Sequence, residues 1–95
     1  MTQKEISKIE RYFTCYSTSK LYNYRFHEQK SARFMLHKEC EFKLIIFEED
    51  NSVYQAGSED DIIGVELMTF EELIIRFESF TREKINNLTE CEDED

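Results

Sequence analysis

The chain has 95 residues, of which 40% are apolar and 35% charged, and its formal net charge is −9. Eight Phe and five Tyr argue against a disordered chain, and no apolar run reaches the ~20 residues that cross a bilayer. Only two glycines occur, so the closely spaced glycines of a P-loop or Rossmann phosphate site are missing.

The length predicts one small domain over residues 1–89, and the acidic end of the chain predicts a disordered tail over residues 90–95. The first residues lack the apolar run of a signal peptide, and the three cysteines form no CxxC pair. These features predict reduced thiols and a cytoplasmic location.

The first element is predicted to be a helix over residues 3–16, with Cys15 inside it. Thr2 and Glu5 have the spacing of a capping box, in which each side chain binds the other's backbone N–H. Apolar residues then follow at helical intervals, at Ile6, Ile9, Phe13 and Tyr16.

Two strands are predicted next. Tyr22, Tyr24 and Phe26 alternate with polar residues, which indicates a strand with its aromatic side chains on one face. A polar turn is expected at residues 28–31, followed by a shorter strand over residues 32–37.

Residues 39–47 are the best candidate for the central strand. Cys40, Phe42, Leu44 and Ile46 would share one face, and the other face also becomes apolar at Ile45 and Phe47. We therefore expect the end of this strand to be covered on both sides.

The remaining strands are marked by acidic turns at residues 48–52 and 58–61. Residues 53–56 and 62–67 lie after these turns and are predicted to be strands, with a bulge or close backbone approach at Gly64. Thr69 and Glu72 then have capping-box spacing at the start of a long amphipathic helix.

The element order predicts an α+β fold: an N-terminal helix, an antiparallel sheet of four to five strands, and a C-terminal amphipathic helix packed on the sheet. Short connections favour antiparallel neighbours, with both helices on one face of the sheet.

Charge is distributed unevenly along the chain. Through Phe47 there are nine Lys or Arg against five Glu, whereas from Glu48 onward there are three against sixteen Asp or Glu. If the acidic turns and the final helix are adjacent, they would form one negative surface able to imitate nucleic-acid phosphates. The predicted partner-binding residues are Glu48, Glu49, Asp50, Glu59, Asp60, Asp61, Glu66, Glu71 and Glu72.

By analogy of size, acidity and missing catalytic motifs alone, we expect a non-enzymatic inhibitor of the DNA-mimic type. Phage anti-CRISPR and anti-restriction proteins are examples of this class. Its partner would be a basic nucleic-acid-binding protein, such as a host defence nuclease, contacted at its groove. No catalytic residue, metal, cofactor, membrane partner or direct nucleic-acid partner is expected.

Two alternatives remain at this stage. The aromatic strand could form the interface of a homodimeric regulatory module, in which the basic half of one subunit meets the acidic half of another. A small zinc or thiol protein could use Cys15, His27, His37 and Cys40, although a continuous strand would place His37 and Cys40 on opposite faces.

Overall fold

In a computed structural model, the backbone is described for residues 1–93 and the side chains for residues 1–82. The elements, in chain order, are α1 (Gln3–Tyr12), β1 (Phe13–Asn23), β2 (Glu28–His37), β3 (Lys43–Phe47), β4 (Val53–Ala56), β5 (Ile62–Leu67) and α2 (Phe70–Asp93). The predicted α+β fold is confirmed. Within the described residues, no helix is long and apolar enough to cross a membrane.

The five strands form one antiparallel sheet in the order β1-β2-β3-β4-β5. β3 is therefore the central strand, as predicted, and Ile45 pairs with Phe34 on one side and Tyr54 on the other. Each strand pairs with its neighbours in sequence, because the connections between strands are short.

One face of the sheet is covered by both helices, as predicted. Ile6 and Ile9 of α1 and Leu73 of α2 share a core with Leu44 and Ile46 of β3. Glu5 ties the starts of the two helices together, since one of its carboxylate oxygens accepts the Thr2 N–H (3.0 Å) and the other accepts the Phe70 N–H (2.7 Å).

The other face forms a second core, to which strand residues alone contribute among the described residues. Ala32, Phe34, Ile45, Phe47 and Ala56 are buried there, and Ile45 is 0% exposed. Such burial without a covering helix requires the sheet to curl over its own face.

Two contacts from the β1 side to the β5 side show this curl. Tyr16 of β1 donates its hydroxyl to Asp60 in the loop before β5 (2.5 Å). Arg25, in the turn after β1, forms an ion pair with Glu66 of β5. The sheet is therefore rolled towards a barrel, with the second core inside it.

The predicted extent of the first helix is wrong beyond Tyr12. Phe13 has extended backbone angles (φ −123°, ψ 147°), and Cys15 lies in β1, where it pairs with Met35. The helical spacing of Phe13 and Tyr16 was misleading, because residues 13–16 are aromatic, β-branched or thiol residues that suit a strand paired with β2.

The predicted boundaries of the next two strands are also wrong. The chain turns at residues 24–27, and β2 begins at Glu28, where a polar turn was expected. Asn23 explains the turn, because its side-chain oxygen accepts the Arg25 N–H (2.8 Å), while His27 adopts a positive φ of 55°.

β3 begins at Lys43, four residues later than predicted, because residues 38–41 form a bend. Phe42 is nevertheless buried in the helix-facing core, and Cys40 packs against that core. The His37 ring contacts Phe13 edge to face and lies against Phe77, both of the same core. The opposite faces expected for His37 and Cys40 assumed a continuous strand, and the bend removes that condition.

The last three predicted elements agree with the structure. Gly64 has a φ of +73° and lies in a bulge, where β5 has three residues, 64–66, opposite the single residue Tyr54 of β4. The Thr69 hydroxyl accepts the Glu72 N–H (3.2 Å), while the Glu72 carboxylate accepts the Met68 N–H (2.8 Å). Residues 90–93 of the predicted tail are the last residues of α2, and residues 94–95 lie outside the described residues, so the disorder of the tail stays a prediction.

Candidate protein-binding surface

The two acidic loops lie at opposite ends of the sheet. The loop at residues 48–52 is at the end where both helices begin, since the Met1 ammonium donates to the Asn51 carbonyl (2.9 Å). Antiparallel β4 then carries the chain about 13 Å to the loop at residues 57–61. The nine predicted acidic residues therefore do not form one cluster: Glu59, Asp60 and Asp61 lie apart from the other six.

At the end where the helices begin, basic residues neutralise several of these carboxylates. Arg25 pairs with Asp50 (2.9 Å) and Glu66, and Lys30 pairs with Glu49 (2.8 Å). Burial opposes the ionisation of Asp50, but hydrogen bonds from Ser52 and the Arg25 guanidinium outweigh it, so the pKa of Asp50 is lowered.

At the opposite end, Asp60 is held by Tyr16 and Lys43. The hydrogen bond from the Tyr16 hydroxyl (2.5 Å) and the ion pair with Lys43 (3.3 Å) lower the pKa of Asp60. Partial burial, together with the same hydrogen bond, raises the pKa of Tyr16 to about 12. Asp60 therefore helps to hold the two sides of the rolled sheet together.

The basic first half of the chain thus meets the acidic second half within one molecule. Glu72 is also engaged, through the Met68 N–H. Among the described residues, neither an ion pair nor a side-chain hydrogen bond is found for four of the predicted partner-binding residues: Glu48, Glu59, Asp61 and Glu71.

An exposed apolar patch on β5 and α2 was not predicted from the sequence. The β5–α2 patch consists of Val65 (74% exposed), Met68 (56%) and Ile75 (63%). Val65 and Ile75 line a shallow groove together with Glu72 and Arg76. Exposed apolar surface of this kind, rimmed by polar residues, is typical of protein-interaction sites.

The rim of the β5–α2 patch is mostly acidic. On α2, positions three and four residues from Ile75 carry Glu71, Glu72 and Glu78, so carboxylates surround its side chain along the helix surface.

The sequence did contain a signal for the patch. Ile74 and Ile75 are adjacent and point about 100° apart on a helix, so only one of them can face towards the core.

The four side chains proposed for a zinc or thiol site do not form one cluster, although Cys40 packs against the helix-facing core that His37 also contacts. His27 lies in the turn near the Tyr22 hydroxyl, His37 stacks between Phe13 and Phe77, and Cys15 is exposed on β1. In the part of the chain that the structure describes, no three His, Cys, Asp or Glu side chains gather to hold a metal ion.

The aromatic residues of β1 and its turn form an exposed surface. Tyr22 and Tyr24 contact edge to face with ring centroids 4.9 Å apart, and the Lys30 ammonium lies 5.0 Å from the Phe26 ring. The adjacent positive charges of Arg25 and Lys30 are paired with carboxylates, whereas Lys20 of β1 is exposed and no ion pair is found for it among the described residues.

A scan against protein-family models and searches of curated proteins and solved structures found no match to this chain.

Proposed function

We propose that this protein is a non-enzymatic inhibitor that uses the β5–α2 patch to bind a Lys/Arg-rich protein. The observation that supports this proposal is the exposed apolar centre formed by Val65, Met68 and Ile75, with Glu72 in the groove and Glu71 one helical turn from Ile75. The class of partner that fits best is a nucleic-acid-binding protein, such as a host defence nuclease, because its working groove is basic.

The apolar centre and the acidic rim have different roles in this proposal. Removing apolar surface from water contributes about 25 cal/mol per Å² and supplies affinity. The rim carboxylates select a basic partner, and the net charge of −9 accelerates encounter with it at low ionic strength.

In this proposal the acidic loops contribute mainly to the long-range electrostatic field that attracts a basic partner. Asp50 and Asp60 are held by internal partners, and releasing them to bind another protein would sacrifice those contacts. Direct contact therefore falls to carboxylates that the structure leaves exposed, above all Glu71 and Glu78.

Capture experiments with charge-matched variants test the proposal. The tagged wild-type chain is incubated with lysate of its native cell beside two double variants, Glu71→Lys with Glu78→Lys and Glu48→Lys with Glu59→Lys. Each variant changes the net charge equally, and all four positions are exposed. We expect a basic nucleic-acid-binding protein to be retained by wild type and by the loop variant but lost by the α2 variant.

The salt dependence of retention provides a second criterion. Because charge pairing at a wet surface is screened with a Debye length of about 10 Å at 0.1 M salt, a high-salt wash should release the partner. Equal loss in both double variants would contradict the proposal, since net charge alone would then determine binding.

Homodimerisation is the second candidate, because the same β5–α2 patch could pair with a copy of itself. A two-fold interface brings the same surface of each subunit together, so two rims that each carry Glu71 and Glu72 against one Arg76 would meet. This repulsion makes a basic partner the better fit. We expect a concentration-independent monomer by light scattering; a dimer abolished by Val65→Ser with Ile75→Ser would support the homodimer instead.

A further inference from the structure

A second candidate site lies between the two helices, on the side of α2 that faces α1. A cavity of about 500 Å³ opens there, with Phe13, Leu73 and Phe77 in its wall and Arg11 and Lys38 at its edge. This volume is in the range of small-molecule sites, which are typically 300–1,000 Å³ and mostly apolar with a few polar groups.

The cavity follows from where α1 ends. The helix stops at Tyr12 and the chain passes directly into β1, whereas α2 continues along the sheet. The Lys38 N–H donates to the Tyr12 carbonyl (3.0 Å), which fixes the bend after β2 beside the end of α1. Apolar side chains of α2 therefore extend past the last turn of α1 without a helix opposite them.

Positive charge is concentrated around this cavity, in a protein with a net charge of −9. Arg11 and Lys38 line it, and the Lys8 ammonium lies 5.5 Å from the centre of the Phe70 ring, which also lines it. No ion pair is found for these three cations within the described residues. Elsewhere among the described residues, Arg25, Lys30, Arg33 and Lys43 pair with carboxylates, whereas no ion pair is found for Lys4, Lys20 and Arg76.

His37 forms part of the cavity wall. Its Nδ1 accepts the Glu39 N–H (3.1 Å), so the neutral ring carries its proton on Nε2. The ring is fixed between Phe13 (centroids 5.1 Å apart) and Phe77 (4.6 Å). Glu39 is the one carboxylate among the described residues of the lining, while on α2 Glu71 and Glu78 flank Ile74 within one helical turn.

We propose that this cavity binds a small amphipathic anion, a carboxylate attached to an apolar chain or ring. The apolar part lies against Phe13, Leu73 and Phe77, and the carboxylate lies at the edge beside Arg11 and Lys38. An apolar body with one charged end matches the lining, in which Arg11 and Lys38 are exposed while Phe13 and Leu73 are buried. This binding is separate from the β5–α2 patch and does not depend on the proposed inhibition.

Titration with octanoate, followed by NMR chemical shifts of the full chain, tests the proposal. We expect saturable shifts at Phe13, His37 and Phe77, and much weaker binding of octan-1-ol, which has the same chain without the charge. Arg11→Glu with Lys38→Glu should weaken octanoate binding about tenfold, because two attractive charges become repulsive.

Two further variants separate a specific site from general attraction of an anion. Lys4→Glu with Lys20→Glu makes the same change in net charge at exposed positions outside the cavity and should leave the affinity unchanged. Ile74→Trp, at the partly exposed edge, should obstruct the cavity and weaken octanoate binding. Absence of saturable shifts, equal binding of octan-1-ol, or equal weakening in the Lys4/Lys20 variant would overturn the proposal.

Discussion

Leu44 and Ile45 are adjacent in β3, but their side chains enter different cores. Leu44 packs under the helices and Ile45 lies inside the rolled sheet, and both are 0% exposed. Leu44→Ala and Ile45→Ala should each lower the free energy of unfolding by about 2–5 kcal/mol, through lost burial and the cavity that remains. Urea denaturation measures both values.

Val65→Ala is the matched control for these two substitutions, since Val65 is an exposed strand residue and its truncation should change stability by less than about 0.5 kcal/mol. If Ile45→Ala were as mild as the control, the inner face of the sheet would not be a packed core.

The hydrogen bond between Tyr16 and Asp60 can be tested through the pKa of Asp60. Tyr16→Phe removes the hydroxyl that lowers this pKa most, so the pKa of Asp60 should rise towards its ordinary value of 3.8. Carboxyl-detected NMR titration measures the shift. Tyr24→Phe, in the exposed turn, serves as the control and should leave Asp60 unchanged; an equal effect of both substitutions would contradict the closure of the sheet.

The same pair predicts the direction of pH effects on stability. The folded-state pKa of Asp60 is depressed, so its contribution is present above pH 3.8 and is lost as the pH falls through the lower folded value. The pKa of Tyr16 is raised from 10.0 to about 12, so its contribution is present below pH 10 and is lost as the pH rises towards 12.

At the scale of elements, Glu5 joins the two helix starts. Glu5→Ala removes the acceptor for the Thr2 and Phe70 N–H groups and should destabilise the fold by about 1–2 kcal/mol, as for other helix caps. These backbone hydrogen bonds also lower the pKa of Glu5, so the loss should shrink below pH 4.5 as the wild-type carboxylate is protonated. Thermal unfolding across pH measures both effects.

Glu41→Ala is the control for Glu5→Ala, because Glu41 is exposed and no side-chain contact is found for it among the described residues. A loss of stability in Glu41→Ala that matched the loss in Glu5→Ala would show that removing any glutamate has this effect.

The bulge in β5 depends on Gly64, whose φ is +73°. Gly64→Ala should destabilise the fold by about 1–2 kcal/mol, because a Cβ is disfavoured in this backbone region. Gly64→Asn should cost less, since asparagine tolerates a positive φ better. Equal stability of wild type and Gly64→Ala, measured by urea denaturation, would show that the bulge relaxes freely.

The elements that the sequence predicted well are those with clear local signals. Acidic turns bounded β4 and β5, and the Thr69 cap set the start of α2. The start of β1 was missed because Phe13 and Tyr16 have helical spacing by coincidence, and pairing with β2 overrides that pattern. The curl of the sheet could not be predicted, since its contacts join Tyr16 to Asp60 and Arg25 to Glu66, far apart in the chain.

At the scale of the whole molecule, the uneven charge has a structural explanation that the sequence did not reveal. Among the side chains that the structure describes, four ion pairs join a basic residue before Phe47 to an acidic residue after it: Arg25–Asp50, Arg25–Glu66, Lys30–Glu49 and Lys43–Asp60. The sequence identified the acidic residues but not their internal partners, because pairing depends on how the sheet brings its two halves together. The sequence also did not reveal the β5–α2 patch. Its exposed apolar residues can be distinguished from core residues only once it is known which face of α2 packs on the sheet.

The central claim is that the β5–α2 patch is the surface that binds a basic partner. Hydrogen–deuterium exchange on the wild-type chain, alone and with the protein that it retains at low salt, tests this claim most directly. We predict slower exchange on binding in β5 and the first three turns of α2, with the turn at residues 24–27 and the loop at residues 57–61 unchanged. Protection confined to that turn or that loop, with β5 and α2 unaffected, would contradict the account.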